Sequence, residues 1–155
     1  MIHHLKYEGY TRLGDTVAER MALVMRHPGP ALLVPIPLGA GRLRQRGYNQ
    51  AAVIAQALGR FWRIPVDRRT LARIRETKSQ TELTPAERAE NVARAFVAAP
   101  PPRRQSRIIL VDDVLTTGAT LAAAAAALHE MGWTRIGAVT FARALPFVVR
   151  LELAR

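Results

Sequence analysis

The sequence predicts an α/β fold: a central, mostly parallel sheet with helices on both faces. Three observations predict it. Short apolar runs alternate with segments of helical periodicity, the pattern of strand–helix–strand units. The run Ile108-Ile109-Leu110-Val111 is continuously apolar rather than alternating, as in a strand buried on both faces. That run meets Asp112-Asp113 and then a Thr/Gly loop opening an alanine-rich helix, and open α/β sheets place ligands at the carboxyl ends of their strands. The chain has 155 residues, the size of one domain with its own core. It contains no internal repeat and no linker long enough to divide it, so residues 1–155 are read as a single domain.

The elements follow in order. Leu13, Val17, Met21 and Val24 fall at helical spacing, which predicts an amphipathic helix over Thr11 to Arg26. His27-Pro28-Gly29-Pro30 ends it. Ala31 to Pro35 is a short apolar strand. Ile36 to Tyr48 reads as a glycine- and arginine-rich loop. Asn49 can cap a helix running through Ala51, Ile54, Ala55 and Leu58 to about Phe61. Val66 to Arg75 is expected to hold a strand, and the polar stretch Glu76 to Leu83 a mobile segment. Thr84-Pro85-Ala86-Glu87 has the marks of a helix start, with a capping residue, proline in the first turn and a returning glutamate. Ala95 to Ala98 is a further strand candidate, and Ala99 to Arg104 a proline-rich connector. The central strand spans Arg107 to Val111, and its helix runs from about Ala119 to Met131, closed by Gly132. Ile136 to Phe141 is the last core strand. Ala144 to Arg155 reads equally as strand or helix.

Charge narrows the partners. The formal net charge is +11, carried by 21 arginines and only two lysines, Lys6 and Lys78. A strongly basic chain favours polyanions, and arginine forks onto phosphate with paired hydrogen bonds where lysine offers a point charge. Codon usage in a GC-rich genome accounts equally well for the total. It accounts less well for the clustering, since 15 basic residues and 5 acids lie between Arg42 and Arg107. Absence of cysteine leaves no disulfide and no thiolate metal site, which favours a cytoplasmic setting. No apolar run reaches membrane-spanning length. His3, His4, His27 and His129 lack metal-ligand spacing.

The segment VDDVLTTGATL, Val111 to Leu121, carries the chemistry. Its loop brings successive N–H groups, threonine hydroxyls and a helix N-terminus to one place, which suits a phosphate. Gly118 allows backbone to approach that phosphate closely. Two adjacent carboxylates at a buried strand end repel and lose hydration, so they need a partner. The bland alternative is that Asp112, Asp113 and Thr116 only cap and solvate the strand end. The Walker lysine pattern and G-x-G-x-x-G are both absent.

This segment resembles the signature of type I phosphoribosyltransferases, which bind 5-phosphoribosyl-1-diphosphate (PRPP). The resemblance implies the type I phosphoribosyltransferase-like fold. It gives Asp112 and Asp113 the ribose hydroxyls, as candidate catalytic residues, and Thr116, Thr117, Gly118, Ala119 and Thr120 the 5′-phosphate. Two upstream segments narrow the resemblance: VPIPLGAGRLRQRGYNQA, Val34 to Ala51, and RIRETKSQTELTPAERAENVARAF, Arg73 to Phe96. They are similar to the ComF family of competence-associated, phosphoribosyltransferase-like proteins. In related transferases the loop after the first core strand binds diphosphate. That implies Leu38, Gly39 and the neighbouring Arg42 here. A closing loop would fall near Arg75 and Lys78, both phosphate candidates. Gln80, Arg88 and Asn91 would buttress it.

What the resemblance implies about activity divides two ways. As an enzyme, the chain would transfer the phosphoribosyl group with Mg²⁺ held through PRPP rather than by protein ligands, releasing diphosphate. As a competence factor in natural transformation, it would bind single-stranded DNA and other competence proteins, with PRPP as a regulatory ligand. Arg42, Arg44, Arg46 and Tyr48 are the nucleic-acid candidates. Phe61 and Trp62 are further stacking candidates that would equally serve the core. A PRPP-binding regulator like the purine repressors needs a separate DNA-reading domain. Many ComF members carry an N-terminal four-cysteine zinc module. This sequence shows none, so its contribution is expected to be absent or to come from another chain. No residue set announces an acceptor, membrane insertion is not expected, and a homodimer is compatible with all of this.

Overall fold

The computed structural model describes residues 14–75, 94–102 and 107–143. Its elements are α1 (14–24), β1 (Leu32–Pro35), α2 (Ala40–Arg46), α3 (Gln50–Trp62), β2 (Leu71–Arg73), β3 (Phe96–Ala98), β4 (Arg107–Leu115), α4 (Ala119–Glu130) and β5 (Arg135–Arg143). The predicted helix at Thr84, the segment at Glu76 to Leu83 and the C-terminal Ala144 to Arg155 lie outside the described residues.

The apolar runs form the sheet as expected. β1, β4 and β5 are parallel in the order β1-β4-β5, with Leu33 opposite Ile109 and Val111 opposite Val139. Because side chains alternate along a strand, β4 feeds two cores. Ile109 and Val111 pack with Leu33, Val139 and the buried faces of α1 and α3. Ile108 and Leu110 pack with Val34, Leu71, Phe96 and the α4 residues Ala124 and Leu128. Helices therefore cover both faces. On α1 the buried stripe is Val17, Ala18 and Met21, whereas Val24 is 84% exposed. The stripe keeps the predicted Val17 and Met21 and adds Ala18, and Leu13 lies outside the described residues.

Two expected elements are different in the structure. The stretch expected as loop from Ile36 to Tyr48 contains the helix α2, closed by Gly47 in the left-handed region at φ 79°, whose N–H reaches the Leu43 carbonyl. The strand expected over Val66 to Arg75 is split. Val66 bridges in parallel to Leu33, extending the sheet beyond β1, and Leu71–Arg73 forms an antiparallel hairpin with Phe96–Ala98. Between the two, Asp67 turns the chain. Its carboxylate accepts the Arg69 N–H at 2.7 Å and the buried Thr70 hydroxyl at 2.6 Å. The Thr70 hydroxyl chiefly holds the Asp67 carboxyl below its ordinary range. The hairpin is fastened by Trp133, fully buried under α4, whose indole N–H donates to the Ala99 carbonyl at 2.8 Å.

Among the described residues, no helix is long and apolar enough to cross a membrane.

Candidate functional site

A cleft of about 210 Å³ opens at the carboxyl ends of β1 and β4. Its wall is built from four pieces, with Arg73 of β2 added to them. The first is the turn leaving β1, Ile36 to Leu38. Here Ile36 is kept on the sheet by its N–H, which donates to the Val111 carbonyl at 2.9 Å. The second is α2. Residues four apart share a helix face, so Arg42 and Arg46 both line the cleft while Arg44, between them, does not. In a loop the three arginines would have alternated; the helix sorts them. The third is the α3 N-terminus with Asn49, Gln50 and Ala51, and the fourth is Asp112, Asp113, Val114, Thr116 and Thr120 from β4 and the turn behind it.

The strand does not stop at the acids. β4 continues to Leu115, and Asp112 is in register with Thr140 of β5 and Val114 with Ala142. Both acids therefore lie within β4. Each folds back on the next residue: Asp112 Oδ1 accepts the Asp113 N–H at 2.9 Å, and Asp113 Oδ1 the Val114 N–H at 2.9 Å. Burial pushes the Asp112 carboxyl up to about 7. The Asp113 N–H opposes that, the Asp113 charge adds to it, and Arg73 draws it back down. A half-buried carboxyl raised in this way, next to a second acid in a cleft, is a functional-site candidate.

Behind the acids, Gly118 caps α4 with φ 80°, a conformation that side chains other than glycine rarely adopt. Gly118 itself supplies no side-chain cap. The Ala119 N–H reaches Thr117 Oγ1 at 3.3 Å. Thr116 and Thr120 face the cleft from either side of this turn. The N-terminal turn of this twelve-residue helix, which brings Thr120 to the cleft, offers N–H donors and a positive dipole end to an anion.

The structure thus brings Leu38, Arg42, Arg46, Asp112, Asp113, Thr116 and Thr120 into one cleft. Gly39 is the N-cap of α2, and Thr117, Gly118 and Ala119 form the turn without lining the cleft. Arg75 and the half-buried Tyr48 also lie off its surface, and Lys78 is outside the described residues. Of the other stacking candidates, Trp62 belongs to the core and Phe61 is exposed at the end of α3. Sequence reasoning missed Arg73. It sits on β2, and only the hairpin carries it to the cleft. Its place at the head of the Arg73 to Phe96 motif was the available signal. Among the described residues, no three His, Asp or Glu side chains cluster as metal ligands.

The model of the phosphoribosyl transferase domain matches residues 43–145. Competence protein F of Haemophilus influenzae is 31% identical over 106 residues, covering 64% of this chain and 46% of that protein. The DNA utilization protein YhgH of Escherichia coli K12 is 28% identical over 103 residues, 62% of this chain and 45% of that one, and its Salmonella typhi counterpart matches equally. The chain spans about half the length of these relatives. They bear out the ComF resemblance. The solved structure of TT1426 from Thermus thermophilus aligns over 90% of this chain and 85% of that one at 15% identity, with a TM-score of 0.44.

Proposed function

Because this chain belongs to the phosphoribosyl transferase domain family, we propose that the cleft binds PRPP together with Mg²⁺. The observation that carries this reading is a juxtaposition. Two carboxylates and the N-terminal turn of α4 face one small cleft together with guanidinium groups. A ribose hydroxyl donates to a carboxylate, a 5′-phosphate accepts from the α4 turn, and a diphosphate accepts from guanidinium forks. No single simpler ligand uses all three.

In this reading Asp112 and Asp113 accept the ribose hydroxyls. Thr116, Thr120 and the first N–H groups of α4 hold the 5′-phosphate. Arg42 and Arg46 lie where the turn after β1 would receive the diphosphate. Mg²⁺, a hard cation that favours oxygen ligands, would enter with PRPP and be held chiefly through it, beside Asp112 and Asp113. When bound it would neutralise charge on the leaving diphosphate. Transfer would pass positive charge through the ribose ring, and the acids stand where that charge develops. PRPP is a cytoplasmic metabolite, so the chain would work there.

A second reading rests on the basic α2 and on the names of the relatives, which concern competence and DNA utilization. Single-stranded DNA would track Arg44 and its neighbours, with PRPP regulating the complex. An acceptor panel separates the readings. Incubation with PRPP, Mg²⁺ and a range of bases and amines releases diphosphate if the chain is a transferase. Release with none of them, while PRPP still binds, would leave the regulatory reading.

A further inference from the structure

Arg73 reaches the cleft from outside the core sheet. In the hairpin it is the direct cross-strand partner of Phe96, and its guanidinium lies over that ring at 5.3 Å from the centroid. Phe96 is itself 5% exposed and locked into the core. The Arg73 Nε also donates to the Arg75 carbonyl at 3.3 Å. A cation stacked on an anchored ring and tied by its Nε has few ways to turn. Pairing of β2 with β3 therefore aims this charge into the cleft.

Among the described residues, the charged groups lining the cleft with Asp112 are few. Asp113 comes from the same strand, Arg73 from the hairpin, and Arg42 and Arg46 from α2. The α3 end offers only Asn49 and Gln50, and α4 only Thr120. Burial and Asp113 both favour a protonated Asp112, and Arg73 is the guanidinium whose field opposes them. Protonation matters chemically. A protonated carboxyl gives up acceptor capacity that ribose hydroxyls would use.

We propose that Arg73, held over Phe96 on the wall of the same cleft, is a positioning residue that favours the ionised form of half-buried Asp112, and so sets the lower pH limit for ribose binding. This deepens the reading of the cleft as a phosphoribosyl site and rests on it. The role leaves the diphosphate to α2 and gives the hairpin a function of its own.

The test is the affinity of ribose 5-phosphate, which lacks the diphosphate, followed by NMR titration from pH 5.5 to 9. Wild type, Arg73→Met and Arg73→Lys are compared, so titration of the ligand's own phosphate is common to all. Wild-type affinity is expected to fall as pH drops through about 7. In Arg73→Met the midpoint should move measurably up, as for removal of an opposite charge, and Arg73→Lys should restore most of the shift. An unmoved midpoint overturns the proposal, as does an equal loss at every pH, which would mean that Arg73 only props the hairpin. If wild type binds ribose 5-phosphate at no pH, the phosphoribosyl reading itself falls and the proposal with it. Binding by wild type with no midpoint shift refutes the role of Arg73 alone.

Discussion

The side-chain amide of Asn49 donates to the Ile36 carbonyl across 2.9 Å, and its Oδ1 accepts the Ala52 N–H at 3.4 Å. One residue thus caps α3 and pins the turn leaving β1, the turn that carries Leu38 to the cleft. Asn49→Ala should lower unfolding free energy by about 1–2 kcal/mol, since it loses a cap and leaves a half-buried carbonyl unpaired. Asn49→Asp keeps an acceptor for the cap and loses the donor, so its cost isolates the Ile36 bond. Urea denaturation measures both. Wild-type stability in Asn49→Ala would show that neither bond matters.

Asp112 links the site to stability. Its folded-state carboxyl sits near 7, against an ordinary value of 3.8. Between those values the folded state binds the extra proton, so this group's contribution to stability declines as pH rises from about 4 to 7. Above 7 a buried charge remains. Asp112→Asn removes it without changing size, and should raise Tm at pH 8 by a few degrees, at roughly 2–4 °C per kcal/mol for a chain of this length. At pH 4 the gain should vanish. A variant that melts lower than wild type at pH 8 would contradict the assignment.

Gly59 is held by close approach rather than by backbone conformation. A Cβ there would lie 2.9 Å from the Ile64 carbonyl oxygen and 2.5 Å from Val66 Cγ2. The backbone oxygen cannot rotate away, so Gly59→Ala should cost about 1–3 kcal/mol, despite the better helix propensity of alanine. Thermal unfolding would read it. A neutral or stabilised variant would mean that the chain after α3 is freer to move than this packing allows.

Helical sorting of the arginines separates two functions. Arg44→Glu should weaken binding of single-stranded DNA and flatten its salt dependence, leaving the PRPP response of Tm in place. Arg42→Glu and Arg46→Glu should diminish both. Fluorescence anisotropy across a salt series measures the DNA slope. Equal effects of Arg44→Glu and Arg46→Glu on the PRPP response would contradict the placement of α2.

Much of this was legible in the sequence, for physical reasons. β4 announced itself because a strand buried on both faces must be apolar throughout. Asn49 announced α3 because a capping side chain has few other reasons to precede an alanine-rich run. The element α2 was not legible. Seven residues including a glycine are too few to show a period or to be stable alone, and α2 forms because Gly39 and Gly47 bracket it and β1 delivers it. Extension of β4 through Asp112 and Asp113 was also hidden, since aspartate disfavours strands and pairing with Thr140 and Ala142 overrides that preference. Arg73 was invisible as a site residue for a different reason. It lies 39 positions before Asp112, and only the hairpin register makes them neighbours.

The most direct measurement is the Tm of wild type and of the double variant Asp112→Asn, Asp113→Asn, with and without PRPP and Mg²⁺. Binding to the folded state alone stabilises it by about 2.7 kcal/mol at a ligand concentration one hundred times Kd, so wild type should melt several degrees higher with the ligand. The double variant should show no rise. An equal rise in both proteins would mean that the ligand sits elsewhere, and that the paired acids at the end of β4 are not what recognises it.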